Sequence, residues 1–199
     1  TQTYYAKSVV LATGASAKKL GLPGEEELLG RGLSYCAACD GMFFRDKTVV
    51  VVGGGNSAAG DALLLSRICR KVILIHRGEK LQATQIYHAP LMTTENIEIR
   101  QNSTVTELLH DNKLSGVRVK DMGSGEEKRI SCEGVFVCVG RKPETELVKG
   151  QLELGANGYI AAGEDTKCNI PGVYAVGDVR TKPLRQVVSA AADGAVCVQ

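Results

Sequence analysis

Residues 49–58, Val-Val-Val-Val-Gly-Gly-Gly-Asn-Ser-Ala, restrict the folds open to this chain more than any other stretch. Four consecutive β-branched residues make a strand that must be covered on both faces, as in a parallel sheet. Gly53, Gly55 and Ala58 then fill the three special positions of G-x-G-x-x-G/A. The first allows a tight turn, the second lets backbone approach a phosphate, and the small third lets a helix pack on the strand. Ala58, Ala62, Leu65 and Cys69 recur at helical spacing, with Leu64 and Ile68 beside them. Gly60 sits inside that helix at a cost of about 1 kcal/mol relative to Ala. Lys71 to Ile75 is a second apolar strand, so the pattern closes as β-α-β. The helix start, with free N–H groups and partial positive charge, would face a pyrophosphate. Dinucleotide binding is the expectation, and an incidental turn is the alternative.

The end of the second strand selects the nucleotide, because an acid there suits a ribose hydroxyl and a base suits a 2′-phosphate. This chain has His76-Arg77 at that point. A guanidinium makes bidentate contacts with phosphate, which favours NADPH over NADH. The alternative is that Arg77 is a solvated surface residue.

Upstream stands Cys36-Ala37-Ala38-Cys39-Asp40-Gly41. Zinc would require two further ligands at comparable spacing, and neither a second C-x-x-C nor a nearby His pair exists, so no metal is expected. A redox pair suits the spacing, because C-x-x-C lowers one thiol's pKa and permits reversible closure. Two structural cysteines that happen to lie close remain the alternative. Asp40 is positioned as a proton donor and acceptor, or else is a turn residue before Gly41. Nicotinamide delivers hydride whereas disulfides are reduced by thiolate attack, and a flavin is the usual adaptor. Gly177-Asp178, after the buried run Val173 to Val176, is the candidate flavin contact.

The remaining chain is read around these motifs. Tyr5 to Leu11 is a short strand halting at Ala12-Thr13-Gly14, followed by a loop with Pro23-Gly24 and Glu25 to Glu27. Opening on a strand with nothing upstream reads as a chain that has been cut. Glu79 to Glu95 is helix-compatible and bent or broken at Pro90. Ile97 to Ile99, Val105 to Leu109, Leu114 to Val119 and Lys128 to Cys132 alternate like an antiparallel meander. Gly134 to Gly140 is again a buried strand, and Gly140-Arg141-Lys142-Pro143 breaks it sharply. Val187 to Val198 is an alanine-rich helix that runs uncapped to the terminus. At 24 basic against 22 acidic side chains the formal charge is +2, which gives no argument for nucleic acid or a membrane surface. No apolar stretch approaches the ~20 residues of a membrane helix. Thr1 to Tyr5 does not resemble a signal peptide, and seven cysteines with only one close pair suit a reducing, cytoplasmic setting.

Together, Ala12 to Ala15, Cys36 to Gly41, Gly53 to Ala58, His76-Arg77, Gly140 to Pro143, and Gly177 to Val179 with Arg185-Gln186 resemble the bacterial-type, low-molecular-weight thioredoxin reductases. The resemblance implies an α/β chain: a Rossmann-like nucleotide domain, parallel sheet plus antiparallel meander, inserted into a partial second flavin-domain sheet. Residues 1–30 and 143–199 would be flavin-domain segments, and 31–142 the NAD(P)H domain with its C-x-x-C. It further implies a homodimer using FAD and NADPH, rotation of one domain against the other, and thioredoxin as the protein substrate. Cys39 would lie nearest the flavin, Cys36 would attack the thioredoxin disulfide, and Asp40 would be the acid/base. Gly53, Gly55, Asn56, Ser57, Ala58, His76 and Arg77 would contact NADPH. Gly177, Asp178, Arg185 and Gln186 would contact FAD, with Thr13, Gly14, Gly140, Val179 and Val187 as further cofactor contacts.

The chain departs from the family pattern in three ways. The first flavin-binding strand is missing, Gly78 and Gln82 stand where the family has arginines (with Lys80 between them), and Gly60 replaces an acid. The alternatives are an NADH-linked reductase of the alkyl hydroperoxide system, a ferredoxin-linked relative, and a non-catalytic nucleotide-binding module.

Overall fold

A computed structural model describes residues 2–199; Thr1, from the opening stretch discussed above, lies outside the described residues. In chain order the strands are β1 (Val9–Leu11), β2 (Ala15–Ala17), β3 (Leu33–Ser34), β4 (Thr48–Val52), β5 (Lys71–Ile75), β6 (Ile97–Arg100), β7 (Ser103–His110), β8 (Leu114–Asp121), β9 (Glu127–Ser131), β10 (Gly134–Val137), β11 (Arg141–Pro143) and β12 (Val173–Ala175). The helices are α1 (Ala37–Asp40), α2 (Asn56–Ser66), α3 (His88–Thr93) and α4 (Val187–Val196). The chain divides into two compact units, residues 18–140 and residues 1–17 with 141–199. The first division falls after Ala17 and not at residue 30. Leu20, Leu22 and Leu28 draw residues 18–30 onto the core of the larger unit.

In the larger unit, five parallel strands form one sheet in the order β3-β10-β4-β5-β6. The valine run is buried on both faces, as its composition requires. Val49 and Val51 meet Ala58, Ala62 and Leu65 of α2, together with Cys69. Val50 and Val52 face the opposite way, onto Val105, Val117, Val119 and Ile130 of the antiparallel sheet β7-β8-β9. Helix, parallel sheet and meander are therefore three layers with a separate apolar core on each side of the sheet. Each fully buried valine contributes about 1.5–3 kcal/mol over its exposed state.

Two segments of this unit differ from the expectation. Ile97–Arg100 does not belong to the meander: it pairs in parallel with β5 at the edge of the main sheet, Val72 opposite Ile97. Its four residues are all half-buried, and an edge strand of that kind carries no continuous apolar run. The 79–95 segment is not one helix bent at Pro90. It is a short 3-10 turn, Gln85–Tyr87, leading into α3, and Pro90 lies in the first turn of α3, where a missing N–H costs nothing.

Gly60 lies in the interior of α2, and a Cβ there would meet only the Tyr87 ring at 3.8 Å, an ordinary contact. Gly60→Ala is therefore expected to stabilise the unit by about 0.5–1 kcal/mol through helix propensity. A chemical denaturation midpoint that stays in place or falls would contradict this.

In the smaller unit β1 pairs in parallel with β12, and β2 pairs antiparallel with β11. Tyr5 to Ser8 precede the first strand rather than forming part of it. The sharp break expected at residues 140–143 is itself a strand, because Arg141–Pro143 finds a partner in Ala15–Ala17. Leu11, Ile160, Ala162, Ala175 and Val179 form this unit's core. Helix α4 opens on a capping box between Gln186 and Ser189 and stops at Val196, where the Cys197 N–H donates to Asp193, so it does not run uncapped. No helix among the described residues is long and apolar enough to cross a membrane.

Candidate active site

Because all five strands of the main sheet run the same way, their carboxyl ends share one edge. From that edge emerge Tyr35-Cys36 after β3, Gly53–Gly55 after β4, His76-Arg77 after β5 and Cys138–Gly140 after β10. Open α/β sheets bind ligands at this edge. The local sequence explains two of these ends: apolar β4 stops at Gly53, and apolar β5 stops at the polar pair His76-Arg77.

The turn after β4 is tight for definable reasons. Gly53 has φ of +151°, and a Cβ there would lie 2.4 Å from the Cys138 carbonyl oxygen and 2.9 Å from the Ala58 Cβ. Sequence spacing does not single out Gly54, yet its lack of a side chain is required by His76: a Cβ would fall 2.1 Å from Nδ1. His76 is buried, and its Nε2 lies 3.0 Å from the Lys80 carbonyl oxygen. The imidazole is thus a strut beneath the glycine turn, while Arg77 and Lys80 are exposed. Asn56 is exposed at the start of α2, and its Oδ1 accepts the Thr84 N–H at 2.7 Å. The Gly54 carbonyl accepts the N–H groups of Gln82 and Ala83 at 2.7 and 3.0 Å. Residues 80–84 are in this way folded back onto the turn, which brings the second-strand loop beside the start of α2. Ser57 is exposed and Ala58 is fully buried against the strand.

Cys36 and Cys39 form a disulfide, with Cys36 half-buried and Cys39 exposed. Cys36 caps α1, its Sγ accepting the Cys39 N–H at 3.2 Å. Asp40 ends α1, and its Oδ2 accepts a hydrogen bond from Ser34 Oγ at 2.6 Å. The residue after Ser34, Tyr35, donates its hydroxyl to Glu25 Oε1 at 2.8 Å. Burial and that carboxylate push the Tyr35 hydroxyl well above the usual phenol range. Glu25, buried, also accepts the N–H groups of Leu20, Gly21 and Leu22. In sequence the acid run at 25–27 reads only as loop; in the fold its first member organises the segment leading to the cysteines.

The other thiols differ. Burial pushes Cys69 up to about 11 and Cys132 up to about 12, and raises Cys168. A thiol held protonated is a poor nucleophile. The Cys138 thiol donates to Asp61 at 3.1 Å.

The smaller unit gathers a second set at the carboxyl ends of its parallel pair. Val176 N–H donates to the Leu11 carbonyl at 2.9 Å, so Thr13-Gly14 and Gly177-Asp178 leave the same end. Thr13 Oγ1 donates to the Glu144 carbonyl, and the Gly14 carbonyl accepts the Glu144 N–H. Gly177–Val179 is one 3-10 turn in which Asp178 Oδ1 is buried without a hydrogen-bond partner. An orphan carboxylate oxygen is costly to bury, and a ligand hydroxyl would satisfy it. The Arg185 guanidinium lies over the Tyr159 ring at 3.9 Å and reaches the Asp178 carbonyl at 3.5 Å. Gln186 uses its side chain to cap α4, leaving Val187 and Val188 exposed as an apolar surface at the helix start. A cleft of about 250 Å³ beside Arg185 is lined by Gly155, Tyr159 and Thr181. The buried anchor of this turn is not apparent from sequence. Asp193 accepts from Arg180 Nε at 2.8 Å and Nη2 at 2.7 Å, from Lys182 at 2.8 Å and from the Gly177 N–H at 2.8 Å.

Comparison with known proteins agrees with this geometry. The chain is 44% identical over 194 residues to a thioredoxin reductase of Mycolicibacterium smegmatis, covering 97% of this chain and 62% of that protein. It is 42% identical to the thioredoxin reductase of Treponema pallidum, covering 98% of this chain and 64% of the relative. The crystal structure of thioredoxin reductase from Streptococcus pyogenes superposes with a TM-score of 0.88 at 38% identity, over 95% of this chain and 62% of that one. The chain therefore spans a little over three-fifths of the length of these relatives. The family model described as pyridine nucleotide-disulphide oxidoreductase matches residues 1–194, and the chain belongs to that family.

Proposed function

We propose that this chain is the nucleotide- and disulfide-bearing part of an NADPH-dependent flavoprotein that reduces the disulfide of thioredoxin. The observation that carries the reading is the Cys36–Cys39 disulfide on the same sheet edge as the Gly53–Ala58 turn. Residues 18–140 would bind NADPH, and 1–17 with 141–199 would contribute to the flavin site. Asp178 fits a flavin through its unpartnered Oδ1, and the exposed start of α4 fits an apolar ring. FAD, when bound, supplies the conversion of a hydride into electrons that a disulfide accepts.

The chain's own residues then divide the work. The Gly53 turn and the start of α2 seat the pyrophosphate, and Arg77 with Lys80 faces the 2′-phosphate while His76 holds the loop beneath. In the dithiol form Cys36, as thiolate, attacks a sulfur of the substrate disulfide, forming a mixed disulfide and releasing one substrate thiolate. Cys39 then attacks Cys36 Sγ, which restores the Cys36–Cys39 bond and releases the second thiolate. Asp40 accepts and returns the thiol protons. The relatives' names support thioredoxin as substrate, the resemblance implies a homodimer for the whole protein, and seven cysteines with one close pair suit a cytoplasmic setting.

Calorimetric titration of the 199-residue chain with NADPH and with NADH tests the nucleotide half of this reading. Tighter NADPH binding is expected. Equal or tighter NADH binding would favour the NADH-linked alternative, and binding of neither would favour a ferredoxin-linked relative.

Restoring one guanidinium sharpens the test. Gln82 is exposed, so Gln82→Arg adds a phosphate contact at about 1.5–3 kcal/mol, raising the NADPH-over-NADH preference by about tenfold or more. Gly78→Arg is the worse choice because its Cβ would lie 2.9 Å from His76 Nε2. An unchanged preference in Gln82→Arg would place the 2′-phosphate elsewhere.

A further inference from the structure

We propose that Ser34 is a positioning residue for thiol–disulfide exchange, acting through Asp40; this rests on the disulfide-reductase reading above. Ser34 is 2% exposed, and its backbone is fixed in β3 opposite Phe136 of β10, itself fully buried. Its hydroxyl accepts the Cys36 N–H at 3.0 Å and donates to Asp40 Oδ2 at 2.6 Å. The Asp40 N–H returns to the Cys36 carbonyl at 3.1 Å, so one hydrogen-bonded ring encloses the whole Cys-Ala-Ala-Cys loop.

A hydroxyl carries a single proton, and here it points to the carboxylate because the short Asp40 contact takes it while the Cys36 N–H fills a lone pair. Ser34 also lies 3.3 Å from the Cys36 carbonyl, a longer and weaker alternative acceptor. Burial keeps bulk water from substituting for the hydroxyl. The consequence is geometric. Asp40 is the last residue of a helix of four residues, too short to hold a side chain by itself. The rigid sheet, through Ser34, fixes where that carboxylate sits relative to Cys36.

In the exchange, the Cys36 and Cys39 thiols lose two protons and two electrons while a disulfide becomes two thiols. Asp40 takes a proton from the attacking thiol and releases it to solvent or to the leaving thiolate. Without Ser34 the carboxylate loses the buried hydrogen bond that ties it to the Cys36 backbone and turns freely on its short helix.

The test uses the reduced 199-residue chain and the chromogenic disulfide dithiobis(nitrobenzoate), after subtracting the rate that remains in Cys36→Ser/Cys39→Ser. Ser34→Ala is expected to slow the cysteine-pair rate by about tenfold, the loss of one hydrogen bond to a charged group. Asp40→Asn should slow it comparably, and the double variant no further than Asp40→Asn alone, because both remove one interaction. Ser34→Thr, which keeps the hydroxyl, should recover most of the rate lost in Ser34→Ala. A role confined to stability would give additive effects and a lowered melting temperature without this pattern, and that result overturns the proposal. Full exchange rate in Ser34→Ala, with the cysteine double variant silent, also overturns it while leaving the reductase reading in place. Full rate in the cysteine double variant overturns the reading itself.

Discussion

Gly53→Ala is expected to abolish nicotinamide-nucleotide binding and to destabilise the 18–140 unit by about 2–6 kcal/mol. The two effects share a cause. At φ of +151° the backbone of Gly53 is in a region that side chains avoid, and the added methyl would meet the Cys138 carbonyl oxygen at 2.4 Å. That oxygen cannot yield cheaply, since Cys138 is held in the sheet by its own N–H to the Val52 carbonyl at 2.8 Å. Backbone strain of about 1–3 kcal/mol and overpacking of about 1–3 kcal/mol add to the cost. The displacement also pulls on the Gly53 N–H, which donates to the Ile75 carbonyl and continues the β4–β5 ladder. Calorimetry measures the first effect, and native-state hydrogen exchange at the amides of β4 and β5 measures the second. Wild-type nucleotide affinity in Gly53→Ala would mean that the turn does not seat the pyrophosphate.

That turn is legible from sequence because everything it needs is local. A strand buried on both faces, a glycine triplet and a helix with small residues on its inner face lie within twenty or so consecutive residues. The cysteine pair is legible for the same reason. Signals fail where an element depends on a distant partner. Ile97–Arg100 looks like meander in isolation, because an edge strand alternates; only its pairing with β5 places it in the main sheet. Leu33–Ser34 and Ala15–Ala17 are too short for any periodicity, and each exists as a strand through a partner about a hundred residues or more away. The motif places His76 at the nucleotide end of β5, yet its ring goes under Gly54, a packing that no spacing rule reveals. Ser34 and Glu25 belong to the same class. A serine in a strand and an acid in a loop are unremarkable letters until the fold buries them beside Cys36 and Tyr35.

The second large effect concerns Asp193. Asp193 is 6% exposed, and Arg180, which grips its carboxylate through two nitrogens, is 1% exposed. The Arg180 hydrogen bonds hold the Asp193 carboxyl well below the usual carboxylate range, against the opposing effect of burial, and Lys182 and the Gly177 N–H add to that. Asp193→Asn removes the charge and leaves a buried guanidinium whose other acid, Glu164, is 3.6 Å away and almost wholly in solvent. Breaking a buried pair from one side costs about 3–5 kcal/mol, so the smaller unit should lose that much stability. The effect reaches the candidate flavin site as well, because Asp193 fixes Gly177, and Gly177 starts the turn that presents Asp178. The wild-type chain should show a gentler form of the same loss in acid. A carboxyl depressed in the folded state contributes stability that is fully present above its unfolded value of about 4 and is lost as pH falls below that toward the folded value. Unfolding followed from pH 7 downward by hydrogen exchange at β12 and α4 should therefore show a decline setting in near pH 4, and Asp193→Asn should lack that component. A wild-type profile as flat as the variant's in that range would show that Asp193 does not carry the acid sensitivity, and the buried Arg180 would then need another counter-charge.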